Sequence, residues 1–185
     1  TRSITLCASL LAFGALSAQD KQLSLGADLA LPQGDFSDEY SLGVGPTAGF
    51  ELPLGDKLAV TLHAGYDILL VQSDFSEVLE GASLVPIQAG LKYFFQESQK
   101  GIYAHAQVGT HLFTEKFKAN DLFGREAESE TSSRLSWGIG IGYQLAKFDL
   151  GLRYNMILPP GGEGEEADPI SYSGLRIAYL IPLGQ

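Results

Sequence analysis

Residues 102–113 have the sequence Ile-Tyr-Ala-His-Ala-Gln-Val-Gly-Thr-His-Leu-Phe, and this stretch decides the fold. One alternate set of side chains suits lipid: Ile102, Ala104, Ala106, Val108, Thr110 and Leu112. The other set suits a crowded polar interior: Tyr103, His105, Gln107, Gly109, His111 and Phe113. Successive side chains of a β-strand point to opposite faces, so this alternation predicts a strand with one apolar and one polar face.

The same alternation recurs along the chain, at 22–31, 42–52, 58–71, 84–95, 102–113, 134–145, 148–157 and 171–183. Each segment is long enough to cross a bilayer when tilted, so we predict an all-β fold, an eight-stranded antiparallel up-and-down transmembrane β-barrel. Long connections (32–41, 72–83, 114–133, 158–169) alternate with short ones (53–57, 96–101, 146–147). Bacterial outer-membrane barrels have short periplasmic turns and longer outside loops. We therefore expect the bacterial outer membrane as the location, with both termini in the periplasm.

Composition narrows the class of protein further. A length of 185 residues fits one domain, and a net charge of −10 argues against a nucleic-acid partner. Beyond the N-terminus no window of about 18 apolar residues exists, so no membrane-spanning helix is expected. The mean hydropathy is only +0.07 because half of each predicted strand is polar.

The first 18 residues resemble a secretory signal peptide. Arg2 precedes an apolar run at 4–16, and the small residues Ser17 and Ala18 follow. We expect cleavage after Ala18, so that residues 1–18 are the signal and residues 19–185 form the barrel. Cys7, the only cysteine, would be removed with the signal.

A soluble eight-stranded barrel of the lipocalin kind would show the same alternation with its apolar face turned inward. The polar face is rich in glycine, which a narrow interior explains better than a solvated exterior does: Gly43, Gly45, Gly49, Gly65, Gly90, Gly109, Gly138, Gly140, Gly142, Gly151 and Gly174. Aromatic residues of the apolar face lie near strand ends, as in two interfacial girdles: Phe50, Tyr93, Phe95, Tyr143, Phe148 and Tyr179 at one rim, and Tyr66, Trp137 and Tyr154 towards the other. Both features favour the membrane barrel.

The last predicted strand carries a further indication. The strand contains a pattern that resembles the insertion signal typical of outer-membrane barrels; its residues are Tyr172, Gly174, Ile177 and Tyr179. The segment from Pro86 through the turn to Gly109 is similar to barrels common in Bacteroidota and often labelled "porin family". The chain after residue 18 thus resembles the small outer-membrane β-barrel families of the OmpX or OmpA-barrel kind. That resemblance implies an architecture rather than an activity. It also implies outer-membrane lipid, lipopolysaccharide and the barrel-insertion machinery as partners, with other envelope proteins as further candidates.

Charged residues also occupy the predicted inner face. They are the acids Asp28, Glu51, Asp67 and Asp149 and the bases Lys92, Arg153 and Arg176. Eight strands leave an interior only wide enough for side chains, and unpaired buried charges are costly. We therefore expect these residues to pair into a network that plugs the barrel. A narrow gated pore or a proton path is the alternative.

Three histidines, His63, His105 and His111, share that inner face. His105 and His111 are about 20 Å apart along their strand at ~3.3 Å per residue, so they cannot share a metal ion. The sequence has no zinc-site spacing, phosphate loop or nucleophile elbow, and we expect neither a metal nor another cofactor. His111 is expected near the outer rim of the barrel, and Ser136 lies nearby, at the start of the next predicted strand. A lipid-A-modifying enzyme with a Ser–His–acid set therefore stays open as a hypothesis.

The long loops are acidic, with residues such as Asp35, Asp74, Glu128 and Glu165. Clustered carboxylates suit a solvated surface, and they also suit divalent cations or a partner.

From the sequence we predict a non-enzymatic outer-membrane barrel with a polar, side-chain-filled interior, acting as a structural or accessory subunit of an envelope complex. A small-solute channel and a lipid-A-modifying enzyme are the alternatives.

Overall fold

The computed structural model describes residues 21–75, 79–117, 128–159 and 168–183. In chain order the regular elements of these residues are β1 (Lys21–Gln33), α1 (Phe36–Glu39), β2 (Tyr40–Pro53), β3 (Leu58–Gly65), β4 (Asp67–Val71), β5 (Leu79–Phe94), β6 (Gly101–Phe117), β7 (Glu128–Leu145), β8 (Phe148–Ile157) and β9 (Ile170–Leu183). Single 3₁₀ turns lie at Ser73–Phe75 and Glu97–Gln99. The predicted signal segment 1–18 lies outside the described residues, as do 76–78, 118–127 and 160–167 of the long loops.

The strands form one closed antiparallel sheet. Each strand pairs with its neighbours, and β9 pairs with β1 to complete the ring. β3 and β4 lie end to end between β2 and β5, so together they form a single strand of the barrel. The architecture is therefore an eight-stranded closed antiparallel β-barrel, and the predicted fold class is confirmed.

Proline explains why one barrel strand is divided into β3 and β4. β3 pairs with β5 as far as Ala64 opposite Ile87, and β4 resumes with Asp67 opposite Leu84, in the same register. Pro86 lies in the gap, and proline has no N–H to donate to a neighbouring strand. The inner and outer faces are kept across the break, because the register does not shift.

The apolar face of each strand points outward, as the membrane barrel requires. Leu135, Val108 and Ile141 are 68%, 63% and 61% exposed, respectively, although all three lie within long paired strands. A water-soluble barrel would turn such residues into its core, so the lipocalin-like alternative is wrong. No helix among the described residues is long and apolar enough to cross a membrane.

The predicted strand bounds are too short at the end where the long loops lie. β5 begins at Leu79 rather than at residue 84, β6 continues to Phe117, and β7 begins at Glu128 rather than at residue 134. Here pairs of hydroxyl side chains replace apolar residues on the outer face. Thr114 Oγ1 lies 2.9 Å from Thr131 Oγ1 across the strand pair. We call this end the long-loop end, and the end with both termini and the tight connections the short-turn end.

The residues of the predicted insertion signal lie on both faces of the final strand, β9. Tyr172 and Gly174 point inward, whereas Ile177 and Tyr179 are 51% and 41% exposed on the outer face. Tyr179 packs edge-to-face on Phe148 at the short-turn end, with ring centroids 5.5 Å apart. Tyr93 and Phe95 form a similar pair, with ring centroids 5.6 Å apart. Aromatic side chains therefore line this rim of the apolar band.

Candidate functional site

Lys92 is the centre of the most highly charged part of the barrel interior. The side chain is buried, and its Nζ donates to Glu51 Oε2 at 2.8 Å and to Asp149 Oδ2 at 2.7 Å. Tyr103 Oη donates to Asp149 Oδ1 at 2.6 Å, and the Tyr103 ring centroid lies 4.4 Å from Nζ. Lys92 belongs to β5, Glu51 to β2 and Asp149 to β8. These contacts therefore join three separated parts of the barrel wall across the lumen.

Arg153 forms a second bridge nearer the long-loop end. Its Nη2 donates to Asp28 Oδ2, and its Nη1 lies 3.3 Å from His63 Nε2. Arg153 on β8 and His63 on β3 stand on opposite sides of the eight-stranded ring. Arg176 adds a third base, with Nη2 donating to Ser24 Oγ at 2.6 Å. The three bases are thus distributed along the lumen, each in contact with oxygen atoms.

Small residues make room for these side chains. A Cβ atom built on Gly142 would collide with the ring of Tyr103, which points inward from the neighbouring strand. Glycine at this position lets the Tyr103 hydroxyl reach Asp149. The glycine-rich inner face predicted from the sequence therefore has a specific packing function at this point.

The other two histidines contact hydroxyl groups. His105 Nε2 lies 2.8 Å from Thr61 Oγ1, and His111 Nε2 lies 2.8 Å from Tyr172 Oη. Among the described residues no group of three or more His, Cys, Asp or Glu side chains is arranged to hold a metal ion. The histidines thus lie in the hydrogen-bonded filling of the lumen.

Asp67 differs from the other inner acids. It is 1% exposed, yet its Oδ1 has no hydrogen-bond partner among the described residues. None of the ion pairs that these residues form includes Asp67. The expectation that all four acids pair with a base is therefore wrong for Asp67, because Arg153 directs its guanidinium group to Asp28.

The long-loop end of the lumen is apolar, which corrects the prediction of a polar interior throughout. Phe36 of α1 packs on Tyr40 and Phe113, with ring centroids 5.0 and 5.9 Å away. We call this buried group the long-loop cap; it comprises Ala30, Phe36, Tyr40, Leu69, Ala82, Leu84, Phe113, Ile157 and Tyr172. The cap closes the interior over the charged layers.

Polar contacts hold α1 against the mouth of the barrel. The backbone N–H of Gln72 donates to Glu39 O at 2.8 Å, and Tyr40 Oη donates to Glu115 Oε1 at 2.8 Å. Burial raises the pKa of the Glu39 carboxyl, and the nearby carboxylates of Glu115 and Asp38 raise it further. The mouth therefore combines an apolar cap with crowded acidic groups.

The short-turn end is closed by a smaller apolar cluster. Ala59, Phe94 and Tyr103 are 0%, 0% and 3% exposed, and the two rings lie 5.5 Å apart. Gln99 connects two neighbouring turns, because its Nε2 donates a hydrogen bond to Gly55 O at 2.7 Å. Both ends of the lumen are thus filled with side chains.

Two small cavities lie beside the charged layers, among the residues that the structure describes. One touches Tyr103, His105 and Arg153, the other touches Lys92 and Arg176, and each has a volume of about 10 Å³. A volume of this size holds about one water molecule. Neither cavity is large enough for a solute to pass.

Comparison with known proteins identifies the family of this barrel. The sequence matches the model of the outer membrane protein beta-barrel domain over residues 3–159. The chain belongs to this outer-membrane β-barrel family. It is accordingly a β-barrel membrane protein of the Gram-negative outer membrane, as the sequence predicted. No match was found among curated proteins.

Solved structures share the fold of this outer-membrane barrel. The attachment invasion locus protein Ail of Yersinia pestis is 15% identical, with a TM-score of 0.60, and the match covers 88% of this chain and 98% of Ail. The N-terminal β-barrel domain of Pseudomonas aeruginosa OprF is 13% identical, with a TM-score of 0.60 over 88% of this chain and 100% of OprF's domain. Neisserial surface protein A is 16% identical, with a TM-score of 0.56 over 88% and 97%. At these identities the likeness concerns the fold alone.

Ser136 and His111, the residues behind the enzyme hypothesis, both lie inside this outer-membrane barrel. They are 2% and 0% exposed, respectively. Ser136 Oγ accepts a hydrogen bond from Gln88 Nε2 at 3.4 Å, whereas His111 contacts Tyr172. No hydrogen bond joins Ser136 to His111 among the described residues. The geometry therefore gives no support to a Ser–His nucleophile at the lipid surface.

Proposed function

We propose that this outer-membrane barrel is non-enzymatic and closed, and that it acts as a structural or accessory component of the cell envelope. The observation that carries the proposal is the Lys92 bridge, in which one ammonium group binds Glu51 on one side of the lumen and Asp149 on the other. A conducting path along the lumen would have to break this bridge and separate its buried charges from their partners, at considerable cost. The apolar clusters at both ends support the same conclusion.

Ion conductance tests whether the lumen is closed. The purified wild-type barrel in planar bilayers should show a current no greater than that of the protein-free bilayer, because Lys92 and Arg153 bridge the lumen and the two cavities described beside them are water-sized. A conducting porin reconstituted in the same way is the positive control. Large, stable open steps would refute the closed lumen and favour a small-solute channel.

We further propose that the long loops face outside and that both termini lie in the periplasm, since outer-membrane barrels place long loops outside. This orientation predicts different thiol labelling on intact cells. In a Cys7→Ser background, Glu130→Cys should react with an impermeant reagent, whereas Lys100→Cys should react only after permeabilisation. Both native residues are exposed, so access depends on the side of the membrane. Labelling of Lys100→Cys alone on intact cells would reverse the orientation.

A further inference from the structure

The barrel wall is interrupted between two prolines. Tyr66, the residue between β3 and β4, lies opposite Pro46 of β2, and its N–H donates to Pro46 O at 3.1 Å. The register of β3 and β4 on β5 places the preceding residue, Gly65, opposite Pro86. The strands on both sides therefore present a proline to the same two residues.

These prolines leave two backbone carbonyl groups without a donor in the sheet. In an antiparallel ladder a hydrogen-bonded pair of residues exchanges two N–H···O bonds, and successive residues bond to opposite sides. Tyr66 bonds towards β2, so its C=O would accept from the nitrogen of Pro46, which carries no hydrogen. Gly65 then bonds towards β5, where Pro86 lacks the same N–H. The Gly65–Tyr66 segment is therefore held by fewer hydrogen bonds than a continuous ladder would provide.

The interruption lies within the lipid-facing band, where such groups are costly. Pro46 is exposed on the outer face between Val44 and Ala48, which are exposed on the same face. The Tyr66 carbonyl points at Gly45, because a Cβ atom built on Gly45 would collide with Tyr66 O. A Cα–H group is only a weak donor, and hydrocarbon offers no other. Hydration of this segment would therefore satisfy groups that the closed wall leaves short of donors.

A buried carboxyl group lies on one side of the interruption and an open groove on the other. Asp67 follows Tyr66 directly on the inner face, is 1% exposed, and its Oδ1 has no hydrogen-bond partner among the described residues. On the outer face a groove of about 240 Å³ is lined by Tyr66, Ile68 and Thr114, among others. Only the wall at Gly65–Tyr66 thus separates the Asp67 side chain from this groove.

We propose that the barrel wall opens locally at Gly65–Tyr66 and that the opening admits water and small water-borne solutes from the groove to Asp67. Water that enters hydrates the two carbonyl groups and the Asp67 carboxyl together, which favours the open form. Lys92 lies opposite Ala59, nearer the short-turn end, so its bridge is kept. The opening therefore gives lateral access to one buried acid, while the lumen stays closed along its length.

Cysteine labelling of the folded barrel in lipid nanodiscs tests the opening. In a Cys7→Ser background, Asp67→Cys should react with a small charged methanethiosulfonate, although the native side chain is buried. Ser136→Cys, at a position 2% exposed on the inner face of β7, is the control and should react much more slowly.

A proline replacement shows whether the reagent enters through the interruption. Pro46→Ala supplies an N–H for Tyr66 O and changes only a lipid-facing side chain. It should slow the labelling of Asp67→Cys about fivefold, the effect of roughly one added hydrogen bond on the open population. Pro182→Ala, which replaces an exposed proline of β9, is the matched control and should leave the rate unchanged.

Amide hydrogen exchange tests the same opening in the wild type, without a cysteine. After correction for intrinsic rates, the Tyr66 N–H should exchange faster than the N–H of Val108, whose strand is paired continuously on both sides. Pro46→Ala should slow exchange at Tyr66 and leave Val108 unchanged.

Two results would overturn the proposal. One is labelling of Asp67→Cys no faster than that of Ser136→Cys, provided that both variants show the heat-modifiable mobility of a folded barrel. The other is an equal effect of Pro46→Ala and Pro182→Ala on labelling and on Tyr66 exchange. That result would mean that solvent reaches Asp67 by another route, such as the mouth at the long-loop end.

Discussion

Replacing Lys92 with methionine is expected to lower the free energy of unfolding of the barrel in detergent by about 3–5 kcal/mol, provided that little water enters the vacated space. Methionine keeps much of the side-chain volume but leaves Glu51 and Asp149 without the ammonium group that both contact. Asp149 would retain Arg176, whose Nη1 is 3.5 Å from Oδ2, whereas Glu51 would lose its ion-pair partner. The loss is measured by urea unfolding monitored through Trp137 fluorescence.

A double-mutant cycle attributes that loss to the bridge. Glu51→Gln added to Lys92→Met should recover part of the stability, because the unpaired charge is removed. Lys100→Met, at an exposed position of a short turn, is the matched control and should change stability by no more than about 0.5 kcal/mol. Equal, small effects of Lys92→Met and Lys100→Met would mean that the interior is wet and that the bridge contributes little.

The second large effect concerns the lipid-facing surface. Leu152 is 53% exposed in the middle of β8, where arginine should cost about 2–4 kcal/mol in a bilayer. Leu145 is equally exposed, at 59%, but it ends β7 beside the turn to β8. Arginine there should cost only about 0–1 kcal/mol, because the penalty falls towards the interface. The comparison of Leu152→Arg with Leu145→Arg thus measures depth rather than exposure.

Unfolding free energies of the two variants in lipid vesicles provide the measurement, with Leu152→Phe as an apolar control that should remain near wild type. If Leu145→Arg destabilised the barrel as much as Leu152→Arg, the apolar band would not be centred on the middle of the strands. The short-turn rim, which the aromatic pairs Tyr93–Phe95 and Phe148–Tyr179 mark, would then also be misplaced.

Period-two alternation was sufficient to predict the number of barrel strands and to separate a lipid-facing from an inward-facing set of side chains in each. It holds from Ile102 to Leu112, where the outward residues are apolar or small apart from Thr110 and the inward residues are polar, aromatic or glycine. It fails beyond, because the outer face of the β6–β7 pair then carries Thr114, Thr131 and Ser133, whose hydroxyl groups resemble a loop composition. These residues remain in the sheet, since their hydroxyls pair across strands while the backbone ladder continues.

The partners inside the lumen could not be predicted in the same way. Strand parity places Lys92, Glu51 and Asp149 on the inner face, but their meeting depends on register and closure across three strands that are distant in sequence. Asp67 illustrates the difference, because it shares that face and yet pairs with no base in the described part of the chain. Which acids pair is decided by the heights of the residues in the closed barrel.

The long-loop cap was missed for a related reason. Leu69, Leu84 and Ile157 lie on the inner face, where an apolar residue looks like an exception to the polar pattern. Phe36 belongs to a connection, and no local periodicity indicates that it folds back over the mouth. Only the assembled barrel brings these side chains to one end of the lumen, where they bury one another.

The central claim is that a single lysine bridges the lumen, and solid-state NMR in lipid bilayers tests it most directly. With ¹⁵N-labelled lysine and ¹³C-labelled aspartate, distance-dependent transfer should connect Lys92 Nζ to the side-chain carboxyl carbon of Asp149, whose Oδ2 lies 2.7 Å from Nζ. The account predicts a strong cross-peak that disappears in Asp149→Asn. Absence of that cross-peak in the folded wild type would contradict the bridge and, with it, the closed interior.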